Sequence, residues 1–106
     1  MALTALAVGA APALAPPAGG ATGSAQVTLK HIAFTPSTAR INAGASVTFR
    51  WRDGDVSHNL HSRGLPRFRG SAARRTGSYT VRFTKRGVYR YECTLHPGMT
   101  GRVVVN

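Results

Sequence analysis

Acidic residues are nearly absent from this chain. Three Asp and Glu (Asp53, Asp55 and Glu92) stand against fourteen Lys and Arg, giving a formal net charge of +11 over 106 residues. Such a field draws in polyanions and acidic proteins and speeds association with them, but it does not select a fold. Cysteine is scarcer still. Cys93 stands alone, so no intramolecular disulfide can form, and the thiol is inert packing, a reactive group or a ligand. Methionine occurs twice, once as the initiator. No charged residue precedes Lys30, and the apolar run at the start is too short, and too broken by Pro and Gly, for a membrane-spanning helix. A sustained helical period is missing throughout. The length is that of one domain, with room for a modest core but not for a multi-part active site with large lids.

What is present divides near residue 25. Residues 1–25 are rich in Ala, Pro and Gly and read as an export signal or an unstructured N-terminal segment. Small residues at Ala13 and Ala15, Gly19 and Ala21, or Gly23 and Ala25 offer cleavage positions, the first disfavoured by Pro16 and Pro17. This predicts a protein on the periplasmic or extracellular side of the envelope. Residues 26–106 form the expected folded domain, and their pattern has period two. Val27 and Leu29 alternate with Thr28 and Lys30; Val47, Phe49 and Trp51 with Thr48, Arg50 and Arg52; Tyr79, Val81 and Phe83 with Thr80, Arg82 and Thr84. Tyr89, Tyr91 and Cys93 alternate with Val88, Arg90 and Glu92, and Val103 and Val105 close the chain. Each run reads as a strand with one buried and one wet face. Turn residues punctuate them at Thr35-Pro36-Ser37, Asn42-Ala43-Gly44, Asp53-Gly54-Asp55, Arg63-Gly64-Leu65-Pro66 and Lys85-Arg86-Gly87. The expected fold is all-β, an antiparallel Greek-key β-sandwich of about seven to eight strands. Residues 63–77, arginine-rich with Phe68 the one aromatic before Tyr79, read as a loop-rich connection with one short strand.

The chemistry concentrates in Cys93-Thr94-Leu95-His96-Pro97-Gly98-Met99. A thiolate, an imidazole and a thioether fall in one short loop at the end of a strand. His58 lies upstream in the turn-like stretch Asp53-Gly54-Asp55-Val56-Ser57-His58-Asn59. His58, Cys93, His96 and Met99 make a soft His₂Cys plus Met donor set, which suits copper in an electron-transfer site better than other common metals. Trigonal His₂Cys with a weak thioether serves Cu(II) and Cu(I) about equally, so little reorganises when an electron moves. A ligand from a second strand end fixes such a set better than four on one loop.

On these residues the chain resembles the cupredoxins of the plastocyanin/azurin family. The Cys-x2-His-x2-Met spacing is similar to that of the amicyanin group, as is Ser57-His58-Asn59-Leu60-His61. Tyr91-Glu92-Cys93, the segment 101–105, Phe34-x-Pro36 and Gly44-x-Ser46-Val47-Thr48-Phe49 resemble the flanking strands. The resemblance implies a cupredoxin domain over residues 26–106 that binds one type 1 copper ion. His58, Cys93 and His96 would be the strong ligands and Met99 the weak axial one. Asn59 would hydrogen-bond across to the ligand loop and steady the thiolate, a kind of contact that tunes a metal's potential. The Ser57 carbonyl could approach the metal from the far side. His96, ringed by Leu95, Pro97 and Gly98, would be the most exposed ligand and the electron's exit. The basic charge departs from the family, so partner identity does not carry over.

The leading function is therefore an exported one-electron carrier between redox proteins, not an enzyme. The alternative is a copper-binding storage or delivery protein. Against it, delivery sites tend to be exposed and rich in Met or His, whereas this loop has one thioether and a strand to support it. Structural zinc is disfavoured by the methionine. A thiol nucleophile would need an orienting Asn or Asp in a cleft. Specific nucleic-acid binding finds no motif among the scattered basic residues. The charge implies donor and acceptor proteins with acidic docking surfaces, allows electrostatic contact with an anionic membrane or envelope, and accompanies an expected monomer. His31 and His61 read as structural or surface residues.

Overall fold

The structure is a computed structural model and describes residues 22–106; the export segment expected over residues 1–25 lies, for its first 21 residues, outside the described residues. Among the described residues, eight strands follow in chain order. They are β1 (Thr22–Lys30), β2 (Ala33–Thr35), β3 (Thr38–Trp51), β4 (His58–Arg63), β5 (Ser71–Arg74), β6 (Gly77–Arg82), β7 (Gly87–Glu92) and β8 (Thr100–Val105). No helix among the described residues is long and apolar enough to cross a membrane. The hydrogen-bonded path runs β2-β1-β3-β8-β7-β4-β5, with β6 paired to β3.

The long strand β3 makes this path a sandwich. Its first part, from Thr38 to Ile41, pairs in parallel with β8. Its second part, Ser46 to Trp51, pairs in parallel with β1 and antiparallel with β6. The chain turns a corner between them, at Gly44, whose φ of 95° is a conformation that an L side chain rarely adopts. Asn42-Ala43-Gly44, expected to end a strand, instead lets one strand serve both sheets. The backbone groups freed at the corner are satisfied there. Ala43 N–H donates to the Asn106 carbonyl (2.8 Å) and Gly44 N–H to the Phe83 carbonyl (2.7 Å). Two of the pairings are thus parallel, and the others are antiparallel.

The alternating residues meet between the sheets. Val47, Phe49 and Trp51 face Tyr89, Tyr91 and Cys93, and all are buried. Edge-to-face contacts order the aromatic centre: Tyr91 meets Phe34 at 4.8 Å and Phe49 at 5.4 Å between ring centroids. Phe68, from the arginine-rich connection, folds back onto Phe83 at 5.3 Å. That connection contains the one short strand expected, β5. The Tyr79–Phe83 run is only partly a buried face. Tyr79 and Val81 are half-buried because β6 lies off the main path, and Phe83, just beyond its end, is the residue that reaches the core.

Candidate metal centre

β7 carries its alternation one residue past its end and delivers Cys93 into the core, where the thiol is buried and unbridged. Glu92 pairs with Thr100, so residues 93–99 are a loop closed by two paired strands. Its own backbone tightens it. Cys93 N–H donates to the Met99 carbonyl (2.9 Å), and Met99 N–H to the His96 carbonyl (3.0 Å). Gly98 supplies the positive φ (87°) that this turn requires. His96 is half-buried, Leu95 is half-exposed beside it, and Met99 is buried with the core.

His58 arrives from the start of β4 and is fully buried. Trp51 Nε1–H donates to its carbonyl (2.7 Å), fixing the backbone of the residue from within the core. Asp53 fixes the ring: its Oδ2 lies 2.7 Å from His58 Nε2 and also accepts the Ile32 N–H (3.0 Å). The Ile32 amide first, and then the His58 ring, hold the Asp53 carboxyl down at about 2. An ionised carboxylate only accepts, so Nε2 carries the ring proton and Nδ1 presents a lone pair. The amide held by Asp53 belongs to the two-residue turn between β1 and β2, where His31 and Ile32 both have positive φ (56° and 54°). Such values are unusual for a β-branched residue.

The Nδ1 atoms of both histidines and Cys93 Sγ converge. His58 Nδ1 lies 3.2 Å from His96 Nδ1, Sγ lies 3.4 Å from His96 Nδ1, and Sγ lies 3.8 Å from His58 Nδ1. The point equidistant from the corners of a triangle with these sides is about 2.0 Å from each corner, against ~2.0–2.1 Å for metal–imidazole and ~2.3 Å for metal–thiolate bonds in zinc sites. The donor triangle therefore fits one transition-metal ion without rearrangement. Soft sulfur with two imidazoles, and methionine in place of a fourth thiolate or carboxylate, fits copper.

Asn59 reaches from β4 to the ligand loop. Its Nδ2 donates to Thr94 Oγ1 (2.8 Å), and its Oδ1 accepts the Thr94 N–H (2.8 Å). This two-point clamp holds the residue next to Cys93. His61, three residues beyond His58, is exposed on the other face of β4. Asp53 is a site residue that the sequence marks only as turn punctuation. Its signal was faint: one of three acidic residues, five positions before a histidine.

A family model, "Copper binding proteins, plastocyanin/azurin family", matches residues 21–106. The chain belongs to that family. This cupredoxin is 36% identical over 88 residues to amicyanin-alpha of Methylorubrum extorquens, covering 78% of this chain and 72% of that protein. It is 30% identical over 89 residues to amicyanin of Paracoccus denitrificans, covering 80% and 67%. Among solved structures, a novel purple cupredoxin from Nitrosopumilus maritimus superposes with a TM-score of 0.70 at 27% identity, over 77% of this chain and 99% of that one. The oxidized form of a methionine-to-leucine mutant of amicyanin gives 0.69 at 26% identity, over 86% and 90%. The cofactor of this cupredoxin is copper, and its broad role is that of a copper-binding electron carrier.

Proposed function

We propose that this cupredoxin is exported and carries single electrons between two redox proteins, and that His58, Cys93 and His96 would hold its copper with Met99 as a weak fourth ligand. The observation that carries this reading is the triangle of Nδ1, Nδ1 and Sγ, already at bonding dimensions between two elements of a rigid sandwich. When bound, copper supplies a one-electron couple between Cu(II) and Cu(I). The protein keeps its donors in place for both states. Asp53 fixes the His58 ring and its tautomer, the Asn59–Thr94 clamp fixes the start of the loop, and the Met99 and His96 carbonyls accept the amides that close it. Burial of Cys93 and His58 excludes water from the thiolate side. His96, half-buried behind exposed Leu95, Pro97 and Gly98, is the path for the electron. Partners with acidic docking surfaces suit the net charge of +11. Contact with an anionic envelope surface follows from the same charge, and the carrier acts as a monomer. Export fits the placement of β1: cleavage after Ala21 leaves the strand whole, whereas cleavage after Ala25 removes its first four residues.

Electron self-exchange of the copper-loaded protein, read from NMR line broadening in mixtures of oxidised and reduced forms, tests the carrier role. The expected result is fast exchange, with Cu(I) retained against a competing chelator. Slow exchange with ready loss of Cu(I) to the chelator contradicts it and supports storage or delivery.

A further inference from the structure

The outward face of the β4–β7–β8 ladder carries a row of arginines. Arg63 stands directly opposite Arg90, and Arg90 directly opposite Arg102. Thr38 on β3 continues the row beside Arg102. Residues paired in this way project from one face of a sheet. Here it is the solvent face, because Tyr89, Tyr91 and Val103 at the alternate positions are buried while all three arginines are exposed. Like charges directly opposite destabilise a ladder, and this row has little to offset them. Glu92 Oε1 lies 3.8 Å from Arg63 Nε, longer than a charge-assisted hydrogen bond. Arg102 Nε–H donates to the neutral Thr38 hydroxyl (3.1 Å). Arg90, in the centre, has neither an ion-pair nor a hydrogen-bonding side-chain partner among the described residues. The three arginines wall a depression of about 280 Å³ together with Ser37, Thr38 and Thr100.

We propose that this depression is a binding site for a phosphate group. Three guanidinium forks supply three charges and a surplus of N–H donors to the wall of this depression. A phosphate monoester brings a charge of about −1.5 to −2 and three strong acceptor oxygens, which can answer several forks at once. A carboxylate, with one charge and two oxygens, is matched by a single fork and leaves the remaining repulsion unanswered. The hydroxyls of Ser37, Thr38 and Thr100 add neutral donors at the rim. A depression of about 280 Å³ leaves room for a phosphate group together with its substituent. Arg90 precedes Cys93 by three residues, about 10 Å along an extended strand at ~3.3 Å per residue. The site is therefore separate from the metal centre, and its occupancy does not depend on copper. The phosphate can come free in solution or on a lipid headgroup.

The experiment uses the full chain and two probes: inorganic phosphate, and vesicles of phosphatidylcholine with or without phosphatidylglycerol. Phosphate is titrated while the Arg Nε–Hε signals are followed by NMR at constant ionic strength set with chloride. Saturable shifts confined to Arg63, Arg90 and Arg102 are expected, weakened at least tenfold by Arg90→Gln and unchanged by Arg86→Gln, which removes the same charge outside the row. In the second arm, retention on phosphatidylglycerol vesicles that is lost in Arg90→Gln alone assigns the phosphate to lipid. Equal retention of both variants assigns it to a soluble ligand. In phosphate-free, low-salt buffer Arg90→Gln should melt higher than the parent by about 1–5 °C, because the central repulsion is gone. Shifts spread over all arginines, with Arg90→Gln and Arg86→Gln weakened alike, would overturn the proposal.

Discussion

Tyr91 sits at the centre of the core, fully buried, and its hydroxyl has no hydrogen-bond partner among the described residues. Its ring packs edge-on against Phe34 and Phe49, and Gly101 makes room for it: a Cβ there would lie 2.7–2.9 Å from the tyrosine's Cε1, Cζ and Oη atoms. A buried hydroxyl without a partner costs about 1–3 kcal/mol in desolvation that nothing returns. Tyr91→Phe removes that cost and leaves a void of roughly 15 Å³, worth about 0.4 kcal/mol at ~24 cal/mol per Å³. The net expectation is stabilisation of about 1 kcal/mol, a rise of ~4–8 °C in Tm for a domain of this size. Urea unfolding of the copper-free full chain at pH 7 measures it, as a higher midpoint with an unchanged slope. A loss of 1 kcal/mol or more in the Phe variant would instead show the hydroxyl making a bond that the phenyl ring cannot replace. An independent check is the phenol itself. Burial pushes its pKa above the ordinary tyrosine range, so one of the three tyrosines should stay protonated at alkaline pH until the protein unfolds.

Four further outcomes follow from the same contacts. Gly101→Ala should destabilise the fold by about 1–3 kcal/mol, because the added methyl meets the Tyr91 ring in a filled core; an unchanged urea midpoint contradicts that packing. Asp53 contributes stability that is fully present above its unfolded pKa near 3.8 and is lost as pH falls toward about 2. Copper-free Asp53→Asn should therefore be less stable than the parent at pH 7, with the gap closing between pH 4 and 2; a pH-independent gap would show that the carboxylate's charge is not what holds His58 and the β1–β2 turn. Met99→Leu should keep the visible colour of the copper protein and shift its reduction potential, and an unaltered potential removes the methionine from the axial position. N-terminal sequencing of the exported protein should read Thr22 first, and an N-terminus at Gln26 contradicts the strand-preserving cleavage.

Much of this was legible because strand alternation and ligand spacing are local. Tyr89, Tyr91 and Cys93 sit on one face in the sequence and in the fold, and the seven-residue loop that follows is short enough to return its donors to the strand that launched it. His58 could be placed by its neighbour Asn59, which clamps Thr94 as a residue in that position must to reach the loop. What escaped depends on which strands lie side by side. The parallel pairings of β3 and its corner at Gly44 are set by the whole sandwich, and a glycine with positive φ serves a turn and a corner equally well. Phe68 reads as a lone aromatic in a basic loop until the loop folds over Phe83. Asp53 holds two groups, Ile32 and His58, that are 21 and 5 positions away, and no periodicity connects them. The arginine row is likewise a product of register: Arg63, Arg90 and Arg102 are ordinary exposed positions one strand at a time.

The proposed copper centre of His58, Cys93, His96 and Met99 stands ready to accept metal. Stoichiometric Cu(II) added to the copper-free full chain, followed by visible absorption, tests it most directly. An intense blue thiolate-to-copper band is expected, saturating at one equivalent and absent in Cys93→Ser. A colourless or weakly coloured product that gives up its copper readily would contradict it.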